Sequence, residues 1–191
     1  MIISIMIKWF SKINKNVVFS LHFPPYVPKR GITLNQIHGN KIFTNPKTNK
    51  ISGDGIFADK KGTYWIKTAD CMCIAVVGKV SSGIVHAGWK GLSRGILREM
   101  ERRVEGEKEV FVFPFAKSCC YEFGETLALK HFKQKHIKNV KGKKHLDMKQ
   151  ILQDQTENNV KFHADCTICN ERLASKRAGR QGFNWIKMEI S

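Results

Sequence analysis

Three short stretches of the chain carry side chains that bind metals or act as nucleophiles. They are Gln36-Ile37-His38-Gly39, Thr68-Ala69-Asp70-Cys71-Met72-Cys73 and His86-Ala87-Gly88-Trp89-Lys90-Gly91. Imidazole and thiolate are ligands that zinc prefers, and a catalytic zinc needs three protein ligands and one open position. His38, Cys71 and His86 meet that count. They predict one site for a catalytic metal. The alternative is that the thiols pack in the core and the histidines only make hydrogen bonds.

Either Cys71 or Cys73 could supply the thiolate ligand of this site. Cys71 and Cys73 are two residues apart, so both point to the same face of a strand. Cys71 follows Asp70 at the strand entrance, where Asp70 is expected to set the polarity of a pocket. Cys73 lies inside the apolar run of residues 72–77. We therefore expect Cys71 to reach the site and Cys73 to pack in the core.

The glycines after His86 also suit a ligand-binding site. Gly88 and Gly91 let a backbone approach a ligand closely, and a helix that begins here favours an anion such as phosphate at its N-terminus. Lys90 adds positive charge, so Asp70 and Lys90 are the predicted substrate-binding residues. The alternative is an ordinary turn between a strand and a helix, in which Trp89 packs instead of stacking on a ligand.

The other four cysteines form a Cys-Cys pair, Cys119-Cys120, and a Cys-x-x-Cys pair, Cys166 and Cys169. Cys-x-x-Cys is half of a structural zinc site, but adjacent residues seldom chelate one ion, so packed thiols are expected. Reduced thiols favour a cytoplasmic protein over a disulfide framework. The residues 1–10 lack a basic start and a cleavage site, and no stretch reaches the roughly 18 apolar residues of a membrane span.

Hydrophobic patterning predicts an α+β fold. Strands are expected in several apolar runs, and Leu92, Ile96, Leu97, Met100 and Val104 fall at helical spacing up to Gly106. A short helix is expected around residues 148–152. The predicted strands are residues 2–10, 16–23, 32–37, 64–67, 72–77, 83–86, 110–115 and 183–190. Their order is mixed, without regular alternation, and the length of 191 residues fits one domain over residues 1–191.

The chain is strongly basic. Lysine and arginine total 33 against 16 aspartates and glutamates, a formal net charge of +17. Such charge attracts nucleic acid or phosphorylated molecules. The lysine-rich stretch 130–149 has Phe132 as its one aromatic residue and predicts a solvated face. We therefore expect only weak, non-specific binding of nucleic acid.

In their order along the chain, these motifs resemble the laccase-domain family, also called multicopper polyphenol oxidases or peptidoglycan editing factors. The resemblance extends from Ile32 to Trp185 and rests on one set of motifs. These are Gln36-Ile37-His38-Gly39, Asp54-Gly55, Thr68-Ala69-Asp70-Cys71, His86-Ala87-Gly88-Trp89-Lys90-Gly91, Cys120-Tyr121-Glu122 and Cys166-Thr167.

The resemblance implies an α+β fold of mixed sheets sandwiched by helices, similar to deamidating toxins. It implies zinc bound by His38, Cys71 and His86. It also implies phosphorolysis of purine nucleosides (adenosine, inosine, guanosine or methylthioadenosine), with adenosine deamination. The substrates would then be a purine nucleoside and phosphate. The chain departs from the family before His38, where its N-terminal segment is shortened, and at Lys90, where an arginine is usual.

Zinc is favoured over copper because a laccase needs several copper centres and the chain has only 7 histidines. Three other functions stay open. The first is a Cys–His hydrolase, with Cys71 as nucleophile and His86 as base, that acts on cell-wall precursors. The second is the polyphenol oxidase that the family name states. The third is a basic binding protein without catalytic activity.

Overall fold

The computed structural model describes residues 6–191. The strand predicted for residues 2–10 begins at Met6 there, and residues 2–5 lie outside the described part. Within residues 6–191 there are thirteen strands: β1 Met6–Phe10, β2 Val17–His22, β3 Ile32–Thr33, β4 Ile42–Thr44, β5 Gly55–Ala58, β6 Gly62–Thr68, β7 Met72–Val77, β8 Ser82–Ala87, β9 Glu109–Val112, β10 Ile137–Val140, β11 Lys143–Leu146, β12 Val160–Phe162 and β13 Asn184–Ile190. The same residues form four α-helices: α1 Trp89–Ser93, α2 Ile96–Arg103, α3 Glu125–His131 and α4 Met148–Gln153.

Two mixed sheets build the fold. One has the strand order β1-β2-β13-β6-β3, and the other has the order β12-β9-β7-β8-β5-β4. Parallel pairs occur only at the edges of these two described sheets, where β3 joins β6, β4 joins β5, and β12 joins β9. A separate hairpin is made by β10 and β11. The α+β class with mixed sheets is therefore confirmed.

Strand β7 lies at the centre of the molecule and is buried on both faces. Ile74 and Val76 pack with helix residues such as Leu97. Cys73 and Ala75 face the other sheet. A nearly continuous apolar run is what a strand covered on both faces requires, and Cys73 is fully buried, as predicted. The layers are thus sheet on sheet, with helices α1, α2 and α4 covering the outer face of the six-stranded sheet.

The helix predicted after Gly91 is broken in two. Gly95 has φ of +71° between α1 and α2, a conformation that glycine adopts without strain. The predicted apolar positions of this segment are nevertheless all fully buried. The break occurs because the chain must turn to keep both short helices on the sheet. Since α1 has only five residues, it provides little of the helix dipole that was expected beside His86.

The lysine-rich stretch is more ordered than its composition indicates. Strands β10 and β11 pair within it, with Lys138 opposite His145, and His145 is buried. The predicted helix at residues 148–152 is confirmed as α4, which Asp147 caps by accepting a hydrogen bond from the Gln150 N–H at 3.1 Å. Across residues 6–191, the helices are all too short or too polar to cross a membrane.

Candidate active site

His38, Cys71 and His86 meet at one end of the central strands. Their metal-binding atoms all lie within 4.8 Å of one another. Strands β7 and β8 are antiparallel, with Cys73 opposite His86, so the residue just before β7 lies beside the end of β8. His38 approaches from the loop before β4. The three side chains form a ligand set of two nitrogens and one sulfur, and their roles as metal ligands and catalytic residues remain predictions.

A buried carboxylate orients one of the two imidazoles. Asp54 Oδ1 lies 2.8 Å from Nδ1 of His86, and the side chains of both residues are buried. This bond makes Nδ1 the donor and leaves Nε2 free to bind a metal. A carboxylate that holds the outer nitrogen of a ligating histidine is a recurrent feature of zinc sites.

The same carboxylate also holds the loop that carries the second imidazole. Asp54 accepts hydrogen bonds from the backbone N–H groups of His38 at 2.9 Å and Gly39 at 2.7 Å. His38 itself has φ of +59°, a conformation that is uncommon for a residue with a side chain. One aspartate therefore positions two of the three ligands. The sequence marked Asp54 only as part of a Gly-Asp-Gly turn and of the family resemblance, and its role in the site was missed.

Gly88 makes room for the sulfur. A β-carbon on this residue would lie 3.0 Å from Sγ of Cys71 and 3.4 Å from Cδ2 of His38. The first distance is shorter than an ordinary van der Waals contact. Because Gly88 follows the end of β8 directly, it is the residue beside which Cys71 emerges. Glycine here avoids a contact that would displace the ligands by a few tenths of an ångström.

The electrostatics of the cluster favour a thiolate. Burial raises the pKa of Cys71, but hydrogen bonds with His38 and His86 outweigh this effect and lower the pKa to about 7. Burial lowers the pKa of His86, but hydrogen bonds with Asp54 and Cys71 raise the pKa to about 9. Burial also raises the pKa of the Asp54 carboxyl, yet the bonds from His86 and the loop bring that pKa below its usual value. Without metal, a large fraction of the Cys71 thiol is therefore ionised at neutral pH, beside a protonated His86.

A pocket opens beside the cluster, with a volume of about 280 Å³. Its lining includes His38, Cys71 and His86 together with two lysines, Lys67 and Lys176, and the ring of Phe183. The Nζ atoms of Lys67 and Lys176 lie 4.9 and 5.3 Å from the centre of that ring. The rim thus combines positive charge with a flat aromatic surface.

The lining also contains an unpaired hydroxyl. Thr68 is buried, and its Oγ1 atom has no hydrogen-bond partner among residues 6–191. A buried hydroxyl without a partner is costly. Its Oγ1 atom has less than 1 Å² of exposed surface, so a ligand would reach it only if the side chain moved. None of Lys67, Thr68, Lys176 and Phe183 was predicted as a site residue: Thr68 stood in the Thr68-Ala69-Asp70-Cys71 motif without a role, and the other three belong to no motif.

Comparison with known proteins identifies the family. The family described as multi-copper polyphenol oxidoreductase laccase matches residues 13–185. The chain belongs to this family. A curated member, the purine nucleoside phosphorylase of Aquifex aeolicus, is 36% identical over 169 residues, which cover 82% of this chain and 81% of the relative. A second phosphorylase, from Clostridium acetobutylicum, is 32% identical and covers 80% and 75% of the two chains.

Two solved structures share the fold. A Neisseria meningitidis protein superposes with a TM-score of 0.83 at 17% identity, over 97% of this chain and 99% of that chain. The protein YlmD from Geobacillus stearothermophilus superposes with a TM-score of 0.78 at 18% identity, over 94% of each chain. The resemblance on which the sequence-based prediction rested is confirmed.

In this laccase-family chain, Asp70 faces the protein interior. Its carboxylate accepts hydrogen bonds from the hydroxyls of Thr167 at 2.8 Å and Ser175 at 2.6 Å, and from the backbone N–H of Arg177 at 2.9 Å. Asp70 is only 5% exposed and does not appear among the residues that line the pocket. It holds the C-terminal segment against the start of β7. The structure therefore supports a positioning role, and contact with substrate remains a prediction.

Lys90 lies outside the pocket lining as well. Its side chain is exposed, with Nζ 5.6 Å from the centre of the Trp89 ring. Trp89 packs against Phe123, with ring centres 5.5 Å apart. The contacts of Trp89 are therefore those of a packing residue, which was one of the two alternatives for it. Within the pocket lining, positive charge comes from Lys67 and Lys176, and phosphate binding by Lys90 remains a prediction.

The expectation of packed thiols is wrong for two of the four remaining cysteines. Cys119 and Cys169 are exposed, Cys120 is half-buried, and only Cys166 of this set is buried. All four lie together in space. Sequence distance had hidden this arrangement, since about 46 residues separate the two pairs.

Proposed function

We propose that this chain is a zinc-dependent purine nucleoside phosphorylase. The observation that carries the proposal is the position of His38, Cys71 and His86 beside a pocket whose rim is cationic and aromatic. Two relatives of 36% and 32% identity that are named purine nucleoside phosphorylase support it. We further propose adenosine, inosine, guanosine and methylthioadenosine as substrates, deamination of adenosine as a second activity, and the cytoplasm as the location.

The donor set supports zinc over copper. Two imidazoles and one thiolate suit a catalytic zinc, and Asp54 leaves the Nε2 atom of His86 free as a ligand. Within residues 6–191 there are two groups of potential ligands, and only this one contains histidine. Multicopper oxidation needs several histidine-rich centres. When bound, zinc would supply Lewis-acid polarisation or an activated water.

The rim supports phosphate and a purine as the ligands. Lys67 and Lys176 provide two ammonium groups, which bind phosphate through charge-assisted hydrogen bonds. Phe183 offers a ring on which a purine stacks, a contact worth about 1–3 kcal/mol for a nucleobase.

The reaction requires these residues to hold two reactants in line. A phosphate oxygen forms a bond to C1′ of the ribose while the bond from C1′ to N9 of the purine breaks. The electron pair of that bond passes to the purine, which then takes a proton, so the products are the free base and ribose 1-phosphate. The lysines orient the phosphate, and Phe183 holds the base in position. Because His86 would be a metal ligand whose Nδ1–H is held by Asp54, the proton that the purine takes comes from the phosphate or from solvent.

The test is release of adenine from adenosine by the zinc-loaded protein with and without phosphate. Formation of adenine and ribose 1-phosphate in equal amounts, only when phosphate is present, is the expected result. Cys71→Ala is expected to lose the zinc ion of this site together with the activity, whereas Lys90→Gln, outside the pocket, keeps that ion. Inosine production reports deamination in the same assay. Release of free ribose without phosphate would contradict the proposal.

A Cys–His hydrolase is the second candidate, and one relationship favours it. Asp54 is hydrogen-bonded to His86, whose ring lies within 4.8 Å of the Cys71 thiol, and the pKa of that thiol is lowered to about 7 after the opposing effect of burial. This is how a nucleophilic cysteine is activated. Such an enzyme would cleave an amide without metal and be inactivated by a thiol reagent. Zinc-free protein that shows amidase activity would favour this candidate over the phosphorylase.

A further inference from the structure

A second cluster of metal-binding side chains lies apart from the candidate active site. Cys119, Cys120, Cys166 and Cys169 place all four Sγ atoms within 4.8 Å of one another. The Sγ atom of Cys169 lies 3.2 Å from that of Cys120 and 3.8 Å from that of Cys119. The first pair is in a turn after β9, and the second pair is in the C-terminal segment. Both pairs are cysteines that the proposed reaction does not use.

The dimensions of this cluster fit one ion. A zinc–sulfur bond is about 2.3 Å long, so four sulfurs at the corners of a tetrahedron are about 3.8 Å apart. The observed spacing reaches this range with all four thiols free. A single disulfide would use two of the sulfurs and leave two more thiols crowded against it. Four thiolates in a compact tetrahedron are the donor set that zinc selects.

We propose that Cys119, Cys120, Cys166 and Cys169 form a structural tetrathiolate zinc site that ties the turn after β9 to the C-terminal segment.

The surroundings suit a site of net negative charge. Four thiolates around Zn²⁺ carry a formal charge of −2. The Lys117 N–H donates a hydrogen bond to Sγ of Cys166 at 3.4 Å. The guanidinium of Arg180 donates to the carbonyl of Ile168 at 3.1 Å, within the Cys166–Cys169 turn. Backbone N–H donors and nearby cations stabilise bound thiolates in the way that second-shell groups do at other metal sites.

The position of this site links it to the candidate active site. Thr167 lies between the two cysteines of the C-terminal pair, and its hydroxyl donates to Asp70, the neighbour of Cys71. The same segment continues to Lys176 and Phe183, which line the pocket. Zinc at the cysteine cluster would therefore hold the segment that supports Asp70. Because metal binding contributes directly to folding, removal of this ion is expected to loosen that support.

The test is zinc content per chain, measured on protein purified under reducing conditions. Wild type is expected to hold about two zinc ions, one bound by His38, Cys71 and His86 and one bound by the four cysteines of the cluster. The double variant Cys119→Ser/Cys169→Ser changes two exposed side chains and is expected to hold about one. Cys71→Ala is also expected to hold about one, by loss of the other ion. Ser118→Ala, in the same turn, is the matched control and should keep both.

Cobalt substitution identifies which site remains. Cobalt-loaded Cys71→Ala is expected to show the strong thiolate-to-cobalt charge-transfer absorption of a four-sulfur site, and the double cysteine variant should lose it. If the double variant does not fold, alkylation of the wild type replaces it: Cys119 and Cys169 should resist a thiol reagent until a chelator is added. Free reactivity of both thiols in zinc-loaded protein, a disulfide between them or Cys120, or iron in place of zinc would each overturn the proposal.

The two proposals fail independently. If wild type holds only one zinc ion, and that ion is lost in Cys71→Ala, the structural site is excluded while the phosphorylase proposal stays intact. Conversely, two zinc ions without phosphorolysis would leave the structural site intact. The metal count and the cobalt spectrum need no enzymatic activity.

Discussion

Oδ1 of Asp54 lies 2.8 Å from Nδ1 of His86, and neither side chain is exposed to solvent beyond 3%. The same carboxylate accepts the backbone N–H groups of His38 and Gly39. One buried carboxylate thus aligns two histidines that come from distant parts of the chain.

Replacing Asp54 by asparagine is expected to weaken zinc binding by about 10–100-fold, the usual cost of losing a carboxylate partner behind a histidine ligand. The amide keeps one oxygen acceptor but cannot serve both His86 and the loop as an anion. A competition titration against a coloured chelator measures the affinity. Asp59→Asn, which changes an exposed aspartate bonded to Asn45, is the control. Equal zinc affinity of the two variants would contradict the positioning role.

Alanine at position 88 is expected to disturb the ligands without unfolding the chain. Gly88 has φ of −75°, which any residue adopts, but the added β-carbon would lie 3.0 Å from Sγ of Cys71. A displacement of a few tenths of an ångström is expected to reduce turnover by roughly tenfold. Thermal unfolding and phosphorolysis are measured together. Gly124→Ala, whose β-carbon would meet no atom within 4 Å, is the control and should behave as wild type.

Neutralising Lys176 is expected to raise the KM for phosphate by about tenfold, as expected for loss of one charged hydrogen bond. Lys176 is exposed and lines the pocket, so Lys176→Gln should fold normally. Initial rates at varied phosphate and fixed adenosine give the KM. Lys90→Gln removes the same charge outside the pocket. If both variants raise the KM equally, general attraction by the basic surface explains the effect.

Alkylation of Cys71 in the zinc-free protein is expected to become half-maximal near pH 7. Burial raises the pKa of this thiol from its ordinary value of 9.0, but hydrogen bonds with His38 and His86 outweigh burial and lower it to about 7. The thiolate fraction, and with it the alkylation rate, therefore grows as pH rises through 7. Peptide mass spectrometry after a timed reaction reports the rate at each pH. His38→Ala should move the midpoint to higher pH, and a wild-type midpoint near 9 would exclude the predicted thiolate.

Asp70→Asn is expected to lower the free energy of unfolding by about 2–3 kcal/mol, because the buried carboxylate accepts hydrogen bonds from Thr167, Ser175 and Arg177. Asparagine tolerates the positive φ of 92° found here, so the backbone is not the cause. Urea denaturation measures the loss. A variant of wild-type stability with a raised KM for the nucleoside would instead favour direct contact of Asp70 with substrate.

Much of the framework was readable from local pattern. The apolar runs predicted β7 and β13, the helical spacing predicted the buried face that α1 and α2 share, and the motifs predicted the family. These features depend on neighbours in sequence, through strand alternation, helical period and glycine positions. The break at Gly95 and the β10–β11 hairpin were missed, because a lysine-rich stretch has no apolar alternation to mark it as paired strands.

The sequence by itself determined which side chains can bind a metal, since His38, Cys71 and His86 stand in recognisable motifs. Only the tertiary structure decided that Asp54 orients them, that Asp70 turns inward, and that Lys67, Lys176 and Phe183 surround the pocket. It also decided that two cysteine pairs form one cluster. The reason is physical: ligand identity is a property of each residue, whereas the distance between atoms of distant residues depends on strand register and on how the sheets pack.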